Sequence, residues 1–146
     1  MGQQSEEEED ESSRPSQEFA YESDLRDFLA ANPSIIERGL SLYEDEGITG
    51  VEFPAGGRFI DLLAVDANQR LVVIELKVSR GYDRVVGQLL RYMAWISAHH
   101  AEAGQAVRGM IIAREISEDL RLACSATPQV ELLEYELSVA LRKVPA

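Results

Sequence analysis

Asp61, Glu75 and Lys77 are the residues whose types and spacing could do chemistry: two carboxylates and an amine carried by the neighbouring segments FIDLLAVD (59–66) and LVVIELKV (71–78). Glu75 and Lys77 are two apart, so an extended chain sets them on one face and Ile74 and Leu76 on the other. The turn-prone ANQ joins the two segments, and a reversal centred near Asn68 makes positions summing to 136 face each other, which puts Asp61 across from Glu75. A slip of one residue would send the two carboxylates to opposite faces. Converging carboxylates offer hard oxygen ligands to Mg²⁺ or Mn²⁺, and the intervening Leu76 carbonyl offers a third. A cation held there polarises a phosphodiester and acidifies a water, while Lys77 orients that water or offsets charge on the phosphate. The competing reading is a surface hairpin with Glu/Lys or Asp/Lys cross-strand pairs and no chemistry. Spacing alone favours the hairpin, because D…ExK arises readily by chance. The setting weighs against it: VVIELKV is otherwise an apolar run of the doubly buried kind, where a Glu and a Lys need a partner, a metal or a ligand.

The elements that must position these residues follow from periodicity. A helix is predicted from Ser16, as cap, to Ala31, with Phe19, Leu25, Phe28 and Leu29 on its apolar stripe. NPSIIERG reads as a short second helix capped by Asn32, opened by Pro33 and stopped by Gly39. Gly50 to Pro54 reads as a short strand, Gly56-Gly57 as a turn, and 59–66 and 71–78 as two strongly β-forming strands. DRVVGQLLRYMAWISAHH (83–100) has the spacing of a long amphipathic helix. VRGMIIA (107–113) is a buried strand, SEDLRLACSA (117–126) a helix capped by Ser117, and VELLEYEL (130–137) a last strand. The long helix makes 71–78 and 107–113 a crossover pair, so the expected fold is α/β, a mixed sheet with helices on its faces.

Bulk properties bound the function. The 146 residues suit one compact domain. The lone Cys124 cannot form an intrachain disulfide, and with no apolar leader segment the expected setting is a reducing cytoplasm. The formal charge of −12 argues against casual nucleic-acid binding, although Glu6 to Glu11 supply six of the 26 acids. Without residues 1–11 the chain keeps 20 acids against 14 bases, or −6, so any nucleic-acid surface must be a small basic patch or rely on metal ions. Residues 1–15 are polar and self-repelling, and are expected to form a disordered acidic tail ahead of a domain spanning 16–146. Such a tail could compete with DNA for a basic cleft.

Longer stretches make the match specific. YESDLRDFLAANPSIIERGL (21–40), GGRFIDLLAVDANQRLVVIELK (56–77), GQLLRYMAWI (87–96), RGMIIAREI (108–116) and ELLEY (131–135) resemble the PD-(D/E)XK nuclease superfamily. Within it they are most similar to the C-terminal nuclease domain of NucS/EndoMS-type endonucleases. The resemblance implies a restriction-endonuclease-like core, a mixed central β-sheet flanked by helices. It implies that Asp61 and Glu75 are metal-binding carboxylates, Lys77 the catalytic lysine, Glu22 an acid approaching the same centre and Gln88 the helix glutamine. Gln88 and Tyr92 lie four apart on one helical face and could reach substrate or Lys77. For Tyr92 a packed polar cap is an equal alternative, and for Glu22 the helix dipole, which favours acids early in a helix, is the stronger explanation. Arg58, beside Gly56-Gly57, could contact a backbone phosphate, with Arg80, Arg84 and Arg91 extending that patch. Of these, Arg58 and Arg91 stand above the background of solvated arginines. Glu37 has no local feature that separates it from a solvated helix-end charge.

The expected function is therefore a Mg²⁺- or Mn²⁺-dependent endodeoxyribonuclease that serves DNA repair. The alternative is a weakly active or inactive nuclease-like domain that binds nucleic acid or protein. Expected partners are DNA (single-stranded, branched or mismatched), a second copy as homodimer, or a separate DNA-binding protein; RNA stays open, because the centre alone does not discriminate sugars. Two departures from the family stand out. Ile60 precedes Asp61 where the family has proline, and the acidic tail stands where NucS-type enzymes carry an N-terminal DNA-binding and dimerisation domain.

Overall fold

The computed structural model describes residues 18–146; the acidic tail and Ser16 lie outside the described residues. The elements in order are α1 (Glu22–Ala31), α2 (Pro33–Ile36), β1 (Ser41–Leu42), β2 (Glu44–Asp45), β3 (Ile48–Thr49), β4 (Val51–Ala55), β5 (Arg58–Val65), β6 (Leu71–Gly81), α3 (Val85–His99), β7 (Val107–Ile116), α4 (Glu118–Cys124) and β8 (Val130–Glu134). The main sheet runs β1-β5-β6-β7-β8, with β4 also on β5, while β2 and β3 form a separate small ladder. The β5–β6 pair is antiparallel; β6–β7 and β7–β8 are parallel, so α3 forms the crossover expected from the sequence.

The sheet is covered on both sides. Leu62, Ala64, Val72, Ile74, Leu76, Met110 and Ile112 pack with Leu25, Leu29 and Leu40. Leu63, Leu71, Val73 and Ile111 pack with Val85, Leu89, Tyr92, Met93 and Ile96 of α3 and with Leu120 of α4. Two covered faces explain why 71–76 is almost continuously apolar. Gly109 lets α3 lie close to β7, because a Cβ there would stand 2.6 Å from Met93 Sδ and 3.1 Å from Leu89 Cδ2. Among the described residues, no helix is long and apolar enough to cross a membrane.

Several boundaries differ from the sequence reading. Helix α1 begins at Glu22, with Tyr21 extended at its N-cap and Glu22 and Asp24 in the first turn, where the dipole favours acids. Phe19 lies outside the helix, its ring 5.9 Å from that of Phe28 and 5.8 Å from that of Tyr135. Asn32 precedes Pro33 as expected, but its side chain donates back to the Phe28 carbonyl (2.9 Å) rather than capping α2. Strand β6 runs on to Gly81 because β7 keeps pairing with it beyond an irregularity between Lys77 and Arg80. Strand β8 stops at Glu134, whose carboxylate accepts the Ile116 N–H (2.9 Å) where a ladder bond would have come from the backbone. Ser117 caps α4 through its side chain, accepting from the Leu120 N–H at 3.1 Å.

The β5–β6 turn is organised by Asp66, which accepts the N–H groups of Asn68 (2.9 Å) and Arg70 (2.8 Å). Arg108 joins it there, donating to Asp66 (3.1 Å), to both oxygens of Glu37 (2.8 Å each) and to Glu131. Glu37 is thus no solvated helix-end charge. The Arg108 guanidinium holds its pKa below the ordinary value, against the cost of burial. Burial also works against the Asp66 charge, but the Arg70 N–H and Arg108 outweigh it and its pKa is lowered.

Candidate active site

The register of the hairpin decides whether the site exists. Leu62 faces Ile74, Leu63 faces Val73, Ala64 faces Val72 and Val65 faces Leu71, all on the predicted pairing. The ladder stops there, one step before Asp61 and Glu75. Asp61 sits at a break in strand alternation: Ile60 packs on the α3 side and Leu62, two residues on, packs with α1. On the neighbouring β4, Glu52 has φ 49°, and the β4–β5 pairing skips from Phe53↔Ile60 to Val51↔Leu62. The kink turns the Asp61 carboxylate into the gap between strands, where it accepts the Leu76 N–H at 2.8 Å. In an extended strand a residue's N–H and C=O point to the same side, so the Leu76 carbonyl also faces the strand that carries Asp61.

Glu75 is 3% exposed, and its Oε1 is buried with no hydrogen-bond partner among the described residues. Burial, and then the Asp61 charge, push its pKa up to about 8, against the pull of Lys77 and the Asp61 N–H. Burial likewise raises the pKa of Asp61, opposed by the Leu76 N–H, Lys77 and Arg26. Two adjacent carboxylates that both resist ionisation, one with an orphaned oxygen, need a cation to become charged together. The donor set, two carboxylates and a carbonyl, is hard oxygen of the kind Mg²⁺ and Mn²⁺ take. No group of three or more His, Cys, Asp or Glu side chains able to hold a metal occurs among the described residues. A cation here would therefore complete its shell with water and substrate oxygens.

Lys77 lies at the edge of a cavity of about 240 Å³ lined by Glu22, Lys77, Ser79, Arg80, Tyr82, Arg84 and Gln88, with Val78 and Val85. Its Nζ is 3.9 Å from Glu22 Oε2, so α1 brings that acid to the lysine. Gln88 Nε2 donates to the Tyr92 hydroxyl at 3.1 Å. Here the expectation for Tyr92 needs correction: it is 3% exposed among the α3 core residues and offers no ring to a nucleic acid. Its hydroxyl accepts from Gln88. Arg58 and Arg91 are exposed, and neither lines the cavity. Arg80 and Arg84 do, along with Ser79 and Tyr82, which the sequence reading missed because it ended the strand at Val78. The signal was the run SRGYDR directly after ELKV.

Residues 21–136 match the family described as Endonuclease NucS C-terminal domain. The chain is 34% identical over 102 residues to Endonuclease NucS 2 of Halobacterium salinarum, covering 70% of this chain and 37% of that protein. It is 31% identical over 103 residues to Endonuclease NucS of Methanopyrus kandleri, covering 70% and 36%. Among solved structures it is similar to a repair endonuclease from Pyrococcus abyssi, with a TM-score of 0.66 and 24% identity over 81% of this chain and 48% of that one. An EndoMS complex with double-stranded DNA gives a TM-score of 0.64 at 24% identity, covering 81% and 47%. These likenesses show the restriction-endonuclease-like fold. The chain spans little more than a third of the length of the curated relatives it matches.

Proposed function

The chain belongs to the NucS C-terminal endonuclease domain family, of the PD-(D/E)XK type, and from that membership we propose that it is a Mg²⁺- or Mn²⁺-dependent endodeoxyribonuclease acting in DNA repair. The observation that carries the proposal is the buried Glu75 carboxylate with its orphaned Oε1, facing Asp61 across the opened end of the β5–β6 hairpin. Asp61, Glu75 and the Leu76 carbonyl would hold the cation. When bound, it would supply Lewis-acid polarisation of the phosphodiester and a more acidic water.

The remaining roles belong to this chain's own side chains. Lys77 orients the attacking water and offsets charge building on the phosphate oxygens. Glu22 holds the ammonium at the cavity edge, and Gln88, tethered to Tyr92, fixes the floor against which the substrate rests. Arg58 and Arg91 make outer phosphate contacts that set affinity rather than rate. Substrates in this reading are single-stranded, branched or mismatched DNA, met by a homodimer or with a separate DNA-binding protein. The cytoplasm is the proposed location.

The test is cleavage of labelled single-stranded, duplex, mismatched and flapped DNAs with Mg²⁺, Mn²⁺ or EDTA, comparing the parent with Glu75→Ala. Metal-dependent cutting by the parent alone is expected; equal cutting by both proteins would sink the assignment. A second reading, a nuclease-like domain that binds without cutting, draws on the net charge of −12. Partner or nucleic-acid binding that persists in Asp61→Ala, with no turnover by the parent, would favour it.

A further inference from the structure

The cavity beside Lys77 concentrates positive charge in an acidic chain. Three of its 14 basic residues, Lys77, Arg80 and Arg84, line one space of about 240 Å³ in which Glu22 is the single acidic lining residue. Arg108 is paired with Glu37, Asp66 and Glu131, Arg70 with Asp66, and Arg26 with Asp27 and Glu52, all away from this space. Arg80 is held by Glu115 (2.9 Å) on the paired strand β7, which fixes its direction without adding an acid to the lining. The Arg84 guanidinium stands 5.3 Å over the Tyr82 ring, a cation–π contact that restrains its planar fork. The Tyr82 hydroxyl is buried and has no hydrogen-bond partner among the described residues. Gln88 and the first turn of the 15-residue α3 complete the wall, so the positive end of a helix dipole opens on the same space.

This arrangement has a structural cause. The irregularity between Lys77 and Arg80 breaks the strand alternation immediately after the ExK triplet and lets Lys77, Ser79 and Arg80 all contribute to one cavity. Gly81 then returns the chain to the core: a Cβ there would lie 3.1 Å from Leu120 Cδ2 and 3.3 Å from Ala113 Cβ. Gly81 thus sets where the chain leaves the sheet toward α3, and the Glu115 ion pair and the Tyr82 ring hold Arg80 and Arg84 beside the cavity.

Resting on the nuclease reading above, we propose that this cavity is the seat of an internal backbone phosphate of the substrate strand next to the scissile one, gripped by Arg80 and Arg84. The Tyr82 hydroxyl is its buried donor. Lys77 lies between this seat and the carboxylate pair, so seating the neighbouring phosphate aligns the strand for cutting. Arginine forks suit such a site because they meet phosphate oxygens in pairs. The seat reads charge and spacing, not base sequence.

The test measures DNA affinity across a salt series in EDTA, and steady-state cleavage in Mg²⁺, for the parent, Arg84→Ala and Tyr82→Phe. Arg84→Ala should flatten the slope of log affinity against log salt by about 0.9 on duplex or about 0.7 on single strands, the loss of one phosphate contact. KM should rise about tenfold while kcat falls less. Substrates with one methylphosphonate at successive positions around the cut probe the same contact without altering the protein. One flanking position should weaken the parent and leave Arg84→Ala nearly unaffected. Cleavage with an unchanged salt slope and no sensitive position would overturn the seat and leave the nuclease reading standing; a parent that neither binds nor cuts would remove both. If Arg84 matters only for strands with a terminal 5′-phosphate, the seat takes a chain end and the internal-phosphate proposal is wrong.

Discussion

Replacing Glu75 by Gln should stabilise the metal-free protein at alkaline pH while abolishing cleavage. In the unfolded chain Glu75 ionises near its ordinary value of 4.5, whereas in the folded protein burial and Asp61 hold its pKa at about 8. Below 4.5 both states carry the proton and Glu75 contributes nothing to the pH dependence. Between 4.5 and 8 the unfolded state loses the proton first, so stability falls as pH rises; above 8 the penalty is complete. At 1.36 kcal/mol per pH unit, that interval corresponds to about 5 kcal/mol. Water drawn to the ionised carboxylate recovers part of it, yet half would still move Tm by roughly 6–10 °C for a domain of this size. Glu75→Gln keeps the shape and loses the charge. Its Tm should match the parent near pH 5 and exceed it at pH 9 by several degrees, read by calorimetry in EDTA. Millimolar Mg²⁺ should narrow the gap by stabilising the parent alone. If the two melting curves shift in parallel from pH 5 to pH 9, the reasoning about a buried, cation-seeking carboxylate is wrong.

Three further outcomes follow from the same geometry. Asp61→Ala strands the Leu76 N–H and should cost about 1–3 kcal/mol in urea unfolding, whereas Asp61→Asn keeps an acceptor, folds nearly as well and still fails to cut. Lys77→Met should lower kcat at least about a hundredfold, as loss of a donor aimed at developing charge does, and leave a urea midpoint close to that of the parent. Arg108→Ala uncouples Glu37, Asp66 and Glu131 and should destabilise the fold by about 3 kcal/mol, because it takes one of two guanidinium partners from the buried Asp66 carboxylate and the one that binds both Glu37 oxygens. An Arg108 variant with the parent's urea midpoint would show that the cluster contributes nothing.

The hairpin was legible because its information is local. β-Branched and apolar runs on either side of ANQ specify two strands, and the turn length specifies the pairing that sets Leu62 against Ile74. The long helix and its crossover were legible from periodicity for the same reason. What the sequence did not show depends on tertiary geometry. Nothing near Arg108 in the chain indicates that Glu37, 71 positions away, will accept two of its hydrogen bonds. Helical spacing sets Tyr92 on one face with Gln88 and leaves a substrate contact and a packed polar cap equally open; the sheet decides it by taking that side of α3 into the core. Arg80 and Arg84 looked like ordinary surface arginines because the irregularity that gathers them is invisible to alternation rules.

The two ends of the β5–β6 hairpin are secured differently. At the turn, Asp66 and Arg108 tie the loop, both flanking strands and α2 into one network. At the far end the backbone ladder has stopped by Leu62 and Ile74, and side chains bridge the strands instead, Asp61 accepting the Leu76 N–H and Glu75 accepting the Asp61 N–H. The hairpin is thus a clothes-peg, sprung shut at the loop and parted at the tips, with the carboxylates on the tips. Its motions should grade along its length: amide hydrogens near Val72 exchange slowly, and those around Leu76 exchange sooner, through small openings that leave the rest intact. A divalent cation gripped between the tips would close the peg, so loading should be visible as slowed exchange at Leu76 before any DNA is present.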